Sequence, residues 1–222
     1  MGKEGSIPTR LHGKVREELA DLGEMFSSGY RENCETILKQ IHRIVDEIDL
    51  IEFFFNQVVE LPKLSEMVGA QSYIVYSDEF YYVRLNFWLP KIEISGFIED
   101  RIDKYFSIGV LHNHSFDFFT VGLLGPGYQS TFYRPVNLKI EHLEEGDHIQ
   151  LEKTSVINLD VGRVIFVSKS YDFHVQYEPE SLSISLNFIP KRFDDIGSAD
   201  NAQLIVDQGS MEVLKKFVGQ SL

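Results

Sequence analysis

Cysteine is nearly absent from this chain of 222 residues, where Cys34 stands alone. No internal disulfide can form, so the core must hold the fold. A single thiol in a polar helical setting, without an activating neighbour, reads as passive. Basic residues are also in deficit, with 21 Lys and Arg against 34 Asp and Glu and a formal charge of −13. Sequence-independent nucleic-acid binding comes from clustered Lys and Arg, so no nucleic-acid partner is expected. Long hydrophobic runs are missing too. None reaches the roughly 20 apolar residues that span a bilayer, and the charged N-terminus lacks the apolar stretch of a signal peptide. The expectation is a cytoplasmic protein with no membrane partner. Internal repeats and low-complexity segments are absent as well, which excludes solenoid and fibrous architectures.

What is present is enough for a substantial core: 43% hydrophobic residues, 13% aromatic. From about residue 8 to residue 60 the pattern is helical. Ile37, Ile41, Ile44, Ile48, Ile51, Phe55 and Val58 recur at alternating steps of four and three, one continuous apolar stripe. Packing on the protein's own sheet is the simplest use of that stripe, and a homodimer through the N-terminal helix is the other. Pro62 and Gly69 then end the helix. Past residue 70 the period falls to two, with Tyr73, Val75, Phe80, Tyr82, Val83, Leu85, Phe87 and Trp88 dense in β-formers. Strand-like segments continue to about residue 190, punctuated by GPG at 125–127, EEGD at 144–147, DVG at 160–162 and EPES at 178–181. Eight or so short strands at regular spacing indicate a mainly β jelly-roll or barrel. SMEVLKKFVGQ, near the C-terminus, reads as a short helix capped by Ser210.

The stretch LHNHSFDFF, residues 111–119, holds the chemistry. On a strand, residues two apart share a face, so His112 and His114 can aim both imidazoles inward while Asn113 points out. His174, in the strand-like SYDFHVQY, supplies a third imidazole from elsewhere in the chain. Two histidines alone bind divalent ions weakly and select none, whereas three make a site. The competing reading places HNH in solvent at a strand end. Against it stand the apolar flanks (Ile108, Val110, Leu111, Phe116, Phe118, Phe119) and the need of buried imidazoles for polar partners, which a shared metal would satisfy together. His142 and His148, near Glu144 and Asp147, are candidates for a weaker surface site.

GVLHNHSFDFFTVGLLGPGYQSTFY, with DFHVQYEPESLSISLNFIP further on, resembles the cupin superfamily, and within it the cysteine dioxygenase-type thiol dioxygenases. The resemblance covers roughly residues 80–192, with gaps. It implies a cupin barrel, a double-stranded β-helix or jelly-roll, at 69–193, an N-terminal helical segment at 1–68 packed on it, and a C-terminal tail with a short helix at 194–222. It also implies Fe(II) held by His112, His114 and His174, although other divalent transition metals suit an HxH pair. The carboxylate that usually follows HxH in cupins falls near Phe119, and Asp117, at an odd offset from His114, belongs to the other face. YYVRLN matches the family strand whose arginine binds the substrate carboxylate, which puts Arg84 in that role.

Asn187 and Ile189 stand where the family's Ser-His-Tyr relay would have its His and Tyr, so the relay is missing. The tyrosine-linked cysteine of some members is missing too. Tyr82, Tyr105, Tyr128, Tyr171 and Tyr177 could each supply a phenol from another direction. The reading is a non-haem Fe(II)-dependent dioxygenase acting with dioxygen on a small anionic metabolite bearing a carboxylate or thiol. Phe116, Phe118, Phe119 and Trp88 are candidates for a dry wall around the site. An alternative of another class is a non-catalytic cupin that binds a metal or small ligand as a sensor or accessory subunit.

Overall fold

The change of period near residue 70 divides the molecule into a helical layer and two sheets. In the structure, a computed structural model, residues 9–47, 50, 67–69, 71–90, 108–136, 140–169, 171–191 and 202–218 are described. Among the described residues of the helical stretch 8–60 are α1 (Thr9–Ser27) and α2 (Cys34–Glu47), separated by a turn. The intervening turn forms where Gly29 takes a left-handed φ of 107°, closed to most side chains, and the Asn33 amide donates to the Gly29 carbonyl. Val15, Leu19, Leu22 and Phe26 of α1 and Ile37, Ile41 and Ile44 of α2 are buried in one core with residues of a sheet. That part of the stripe therefore packs on the protein's own strands. Ile48, Ile51, Phe55, Val58 and Pro62 lie outside the described residues.

The strands are β1 (Met67–Gly69), β2 (Ser72–Ser77), β3 (Tyr81–Trp88), β4 (Leu111–His112), β5 (Phe118–Leu124), β6 (Gln129–Pro135), β7 (Leu151–Asn158), β8 (Val164–Val167), β9 (Phe173–Tyr177), β10 (Ser183–Pro190), β11 (Ala202–Val206) and β12 (Val213–Val218). They form two antiparallel sheets in the orders β1-β2-β3-β10-β5-β8 and β12-β11-β4-β9-β6-β7. Strands β3 to β10 switch between the sheets in the sequence of a jelly-roll, so the fold is mainly β and of the cupin type. Gly125 and Gly127, both left-handed, turn the chain from β5 to β6 as the GPG motif requires.

Alternation along the first sheet separates two faces. Tyr81, Val83 and Leu85 of β3, Phe119, Val121 and Leu123 of β5, and Ile184, Leu186 and Phe188 of β10 face the helices. The intervening residues turn toward the second sheet, where Phe118 and Ile189 meet Phe132 and Val167. Beyond the second sheet, Leu111, Phe173, Val175 and Leu204 pack with Ile140, Leu143 and Ile149. The histidine strands are thus held between two apolar layers.

The C-terminal segment departs from expectation. SMEVLKKFVGQ does not form a helix; β12 runs through it and pairs with β11, which pairs in turn with β4. Ser210 caps no helix but sits in the reversing turn, donating from its amide and hydroxyl to the Asp207 carboxylate. AQLIV supplies the reason. Its Ala202, Leu204 and Val206 bury one face, and cross-strand pairing overrides the local helical pattern. Instead of a tail, the segment adds a hairpin to the sheet that carries two of the candidate ligands.

Candidate metal centre

β4 and β9 are antiparallel neighbours, and His112 lies directly opposite His174. Their chain neighbours Leu111, Phe173 and Val175 turn to the outer layer, so both imidazoles turn inward. His114 does not share a strand with His112, because β4 ends at His112 and His114 sits in the loop that leads to β5. It still reaches the same point: its Nε2 is 3.4 Å from the Nε2 of His174. One ligand atom from each of the three lies within 4.8 Å of the others.

The protonation state suits ligation. His112 Nδ1 donates to the Val110 carbonyl at 3.0 Å, which leaves Nε2 with its lone pair. Burial lowers the pKa of all three imidazoles. His114 falls well below the ordinary histidine value through burial, its two histidine neighbours and Arg84, and His174 also falls well below it through burial and His112. Three neutral rings are therefore aimed at one another. Two nitrogens each bound at about 2.1 Å to one ion would sit about 3.4 Å apart at the tetrahedral angle, which the His114 to His174 separation matches. The donor set fits a divalent transition metal. His174 Nδ1, unlike that of His112, is buried with no hydrogen-bond partner.

Arg84 arrives from the opposite sheet. It lies on β3 across from Asn187 of β10, on the face turned away from the helices. With its oxygen toward Arg84, the Asn187 amide accepts from the guanidinium Nη2 at 3.0 Å and donates to Thr120 Oγ1 at 2.8 Å. The Tyr128 hydroxyl bonds to Thr120 and to Gln176, which lies two residues past His174 on the same strand face. A polar chain thus crosses the interior from the His174 strand to Arg84. Burial lowers the pKa of Arg84, but a guanidinium starts so high that it stays charged. Its Nε is buried without a partner. Burial also pushes the Tyr128 phenol up to about 12, keeping it a hydrogen-bond donor.

The aromatic wall is partly as expected. Phe116 and Phe118 lie 5.2 and 4.9 Å from the His114 ring, and Phe132 lies 5.4 Å from His174. Phe119 points the other way, edge-on to Phe26 of α1, so it belongs to the helix-facing core. Trp88 lies tilted by 30° against Tyr128 with ring centres 3.9 Å apart and donates to Ser185 Oγ. Of the candidate tyrosines, Tyr128 and Tyr82 are on the inside, Tyr171 and Tyr177 are exposed, and Tyr105 lies outside the described residues. Asp117 faces away from the histidines and bonds to the turn between α1 and α2. Cys34 is half-buried with its thiol pKa raised by burial, consistent with a passive thiol. Among the described residues His142, His148, Glu144 and Asp147 form no such cluster; Glu144 pairs with Lys216.

Sequence reasoning missed the Asn187, Thr120, Tyr128 and Gln176 chain. The even spacing of Gln176 from His174 was its one local signal, since the other members meet only across strands.

No protein-family model matches the sequence, and no curated protein matches it. Among solved structures, the chain is similar to hydroquinone 1,2-dioxygenase PnpCD at 12% identity and TM-score 0.34, covering 57% of this chain and 68% of that one. It is similar at 12% identity and TM-score 0.34 to a cupin-2 domain protein from Shewanella frigidimarina, covering 62% and 92%. A structure of DMSP lyases RdDddP and RnDddQII gives 11% identity and TM-score 0.29, covering 50% of this chain and 38% of that one.

Proposed function

We propose that the chain is a non-haem Fe(II)-dependent oxygenase whose metal is held by His112, His114 and His174, acting on a small anionic metabolite with a carboxylate or thiol. The observation that carries this reading is the convergence of three neutral imidazoles beneath a buried arginine with an unpartnered Nε. Ferrous iron at such a site supplies an open coordination sphere where dioxygen can be activated beside a bound anion. Three uncharged ligands leave the full charge of the ion uncompensated by the protein, which favours an anionic donor from the substrate.

The chain's own residues then have distinct tasks. Val110 holds the His112 tautomer, and desolvation keeps the other two rings unprotonated. Arg84 presents a buried positive charge for the far end of the substrate, its guanidinium held by Asn187 so that its rotamer is fixed before binding. Phe116, Phe118 and Phe132 exclude water from the histidine side. The Tyr128 hydroxyl remains a proton donor at neutral pH.

A second reading, a non-catalytic cupin that binds a metal or small ligand, is favoured by one observation: Asn187 is spent on Arg84 and Ile189 on an apolar cluster, where the relay of the thiol dioxygenases would stand. Oxygen uptake separates the two. Protein purified without air and loaded with Fe(II) is offered a panel of small thiols and carboxylates. The oxygenase reading expects uptake with at least one class, lost in Arg84→Met and His174→Ala. Iron binding with no uptake above the free-iron blank for any compound would leave the binding reading in its place.

A further inference from the structure

His112 and His174 are fixed by the β4 and β9 ladder, but His114 is carried by a loop. Its position therefore depends on what fixes residues 113–117. The two side chains that flank it on the outward side, Asn113 and Asp117, are both buried and both bonded to elements outside β3–β10. Asn113 donates from Nδ2 to the Ala202 carbonyl at 2.9 Å and accepts the Leu204 amide on Oδ1 at 2.6 Å, both on β11. Asp117, whose side chain is wholly enclosed, accepts on Oδ2 from the Tyr30 hydroxyl at 2.5 Å and from Arg31 Nε and Nη2 at 2.8 and 2.7 Å. Its Oδ1 accepts the Lys169 amide at 2.6 Å. Three donor groups from two segments close on one carboxylate.

Both Arg31 nitrogens close on the one oxygen Oδ2 of an enclosed carboxylate, and charge-assisted bonds of this kind are the strong ones. Only Ser115 and Phe116 separate His114 from Asp117, so movement of the anchor is transmitted to the ring. We propose that these two braces are positioning elements of the metal site. The turn between α1 and α2, through Arg31 and Tyr30, and the C-terminal hairpin, through β11, hold His114 in register with the two ladder histidines. The N- and C-terminal additions to the barrel thereby tune metal affinity. This rests on the reading of the three histidines as metal ligands.

The test is anaerobic Co(II) titration of the full chain, followed by the visible ligand-field bands, with wild type, Arg31→Ala, Arg31→Lys, Asn113→Ala and the control Arg43→Ala, whose ion pair with Glu18 lies between the helices. Thermal melts confirm that each variant is folded at the titration temperature. Arg31→Ala and Asn113→Ala are expected to bind Co(II) about tenfold more weakly with altered bands, in line with the usual effect of residues behind metal ligands. Arg31→Lys is expected to recover part of the affinity, and Arg43→Ala all of it. Should Asn113→Ala fail to fold, Arg31→Ala and Arg31→Lys decide the matter alone. Wild-type affinity and bands in a folded Arg31→Ala would overturn the braces while leaving the ligands intact. No Co(II) binding by wild type would overturn both.

Discussion

The first sheet has two faces built from the same strands, and they are made of different chemistry. Toward the helices, β3, β5 and β10 present Tyr81, Val83, Leu85, Phe119, Val121, Ile184, Leu186 and Phe188, closed over by α1 and α2. Toward the other sheet they present Arg84, Asn86, Thr120, Ser183, Ser185 and Asn187, all on strands whose neighbours are apolar. Burial on the helix face is almost wholly apolar, with the Tyr81 hydroxyl bonded to the Leu19 carbonyl, and stabilises the fold against the chain entropy it costs. Burial on the inner face carries polar groups that must find partners, which is the arrangement of a site rather than of a core. The difference teaches that the helices support the barrel from behind while its interior is free for chemistry.

Substitutions should respect that division. Phe119→Ala on the helix face removes a ring packed against Phe26 and Phe166 and should cost about 3–5 kcal/mol in chemical denaturation. Metal stoichiometry of the folded fraction should stay unchanged, and a smaller stability loss with lost metal would blur the two faces.

Metal addition acts on the inner face alone. At a free concentration of about 100 times its dissociation constant, a divalent ion should raise wild-type stability by about 2.7 kcal/mol, and a chelator should reverse the gain. His174→Ala should show no such gain, which a thermal shift titration reads directly.

Acid should weaken the metal-free protein from the same side. Burial lowers the three imidazoles in the folded chain, whereas in the unfolded chain they titrate near about 6.5. Below that pH the unfolded state binds more protons. The stability present above pH 6.5 is therefore lost as pH falls, by about 1.4 kcal/mol per unit for each ring that remains neutral in the fold. Urea melts between pH 7 and 5, wild type against His174→Ala, should show a shallower fall in the variant.

The smallest effect is expected at Arg84. Arg84→Met removes a buried charge with an unpartnered Nε but strands the Asn187 oxygen, so the apo protein should stay within about 1 kcal/mol of wild type. A loss of several kcal/mol would make Arg84 a structural member of the barrel and erase the distinction between the faces.

Much of this division was legible in the sequence. A period of two put His112 inward, because strand geometry is local. It was read for His114 and Asp117 as well, which lie in the loop between β4 and β5 where alternation does not apply. The Phe118 and Phe119 pair defeated the same rule. Both neighbours are apolar, so composition could not say which faces the histidines. The break after Ser27 was hidden in a pattern that continues on both sides of Gly29. β12 was read as a helix because its partner lies across a turn, outside any helical window. The bonds from Tyr30 and Arg31 to Asp117 join residues more than 80 positions apart, and the strand pairing that brings Asn187 to Arg84 is equally non-local.

The central claim is that His112, His114 and His174 hold one metal. Elemental mass spectrometry on untagged protein purified without air, wild type beside His114→Ala, tests it most directly. The account predicts about one divalent transition metal, iron first, per wild-type chain and almost none in the variant. Wild-type protein without metal, or a folded variant that keeps its full complement, would contradict it.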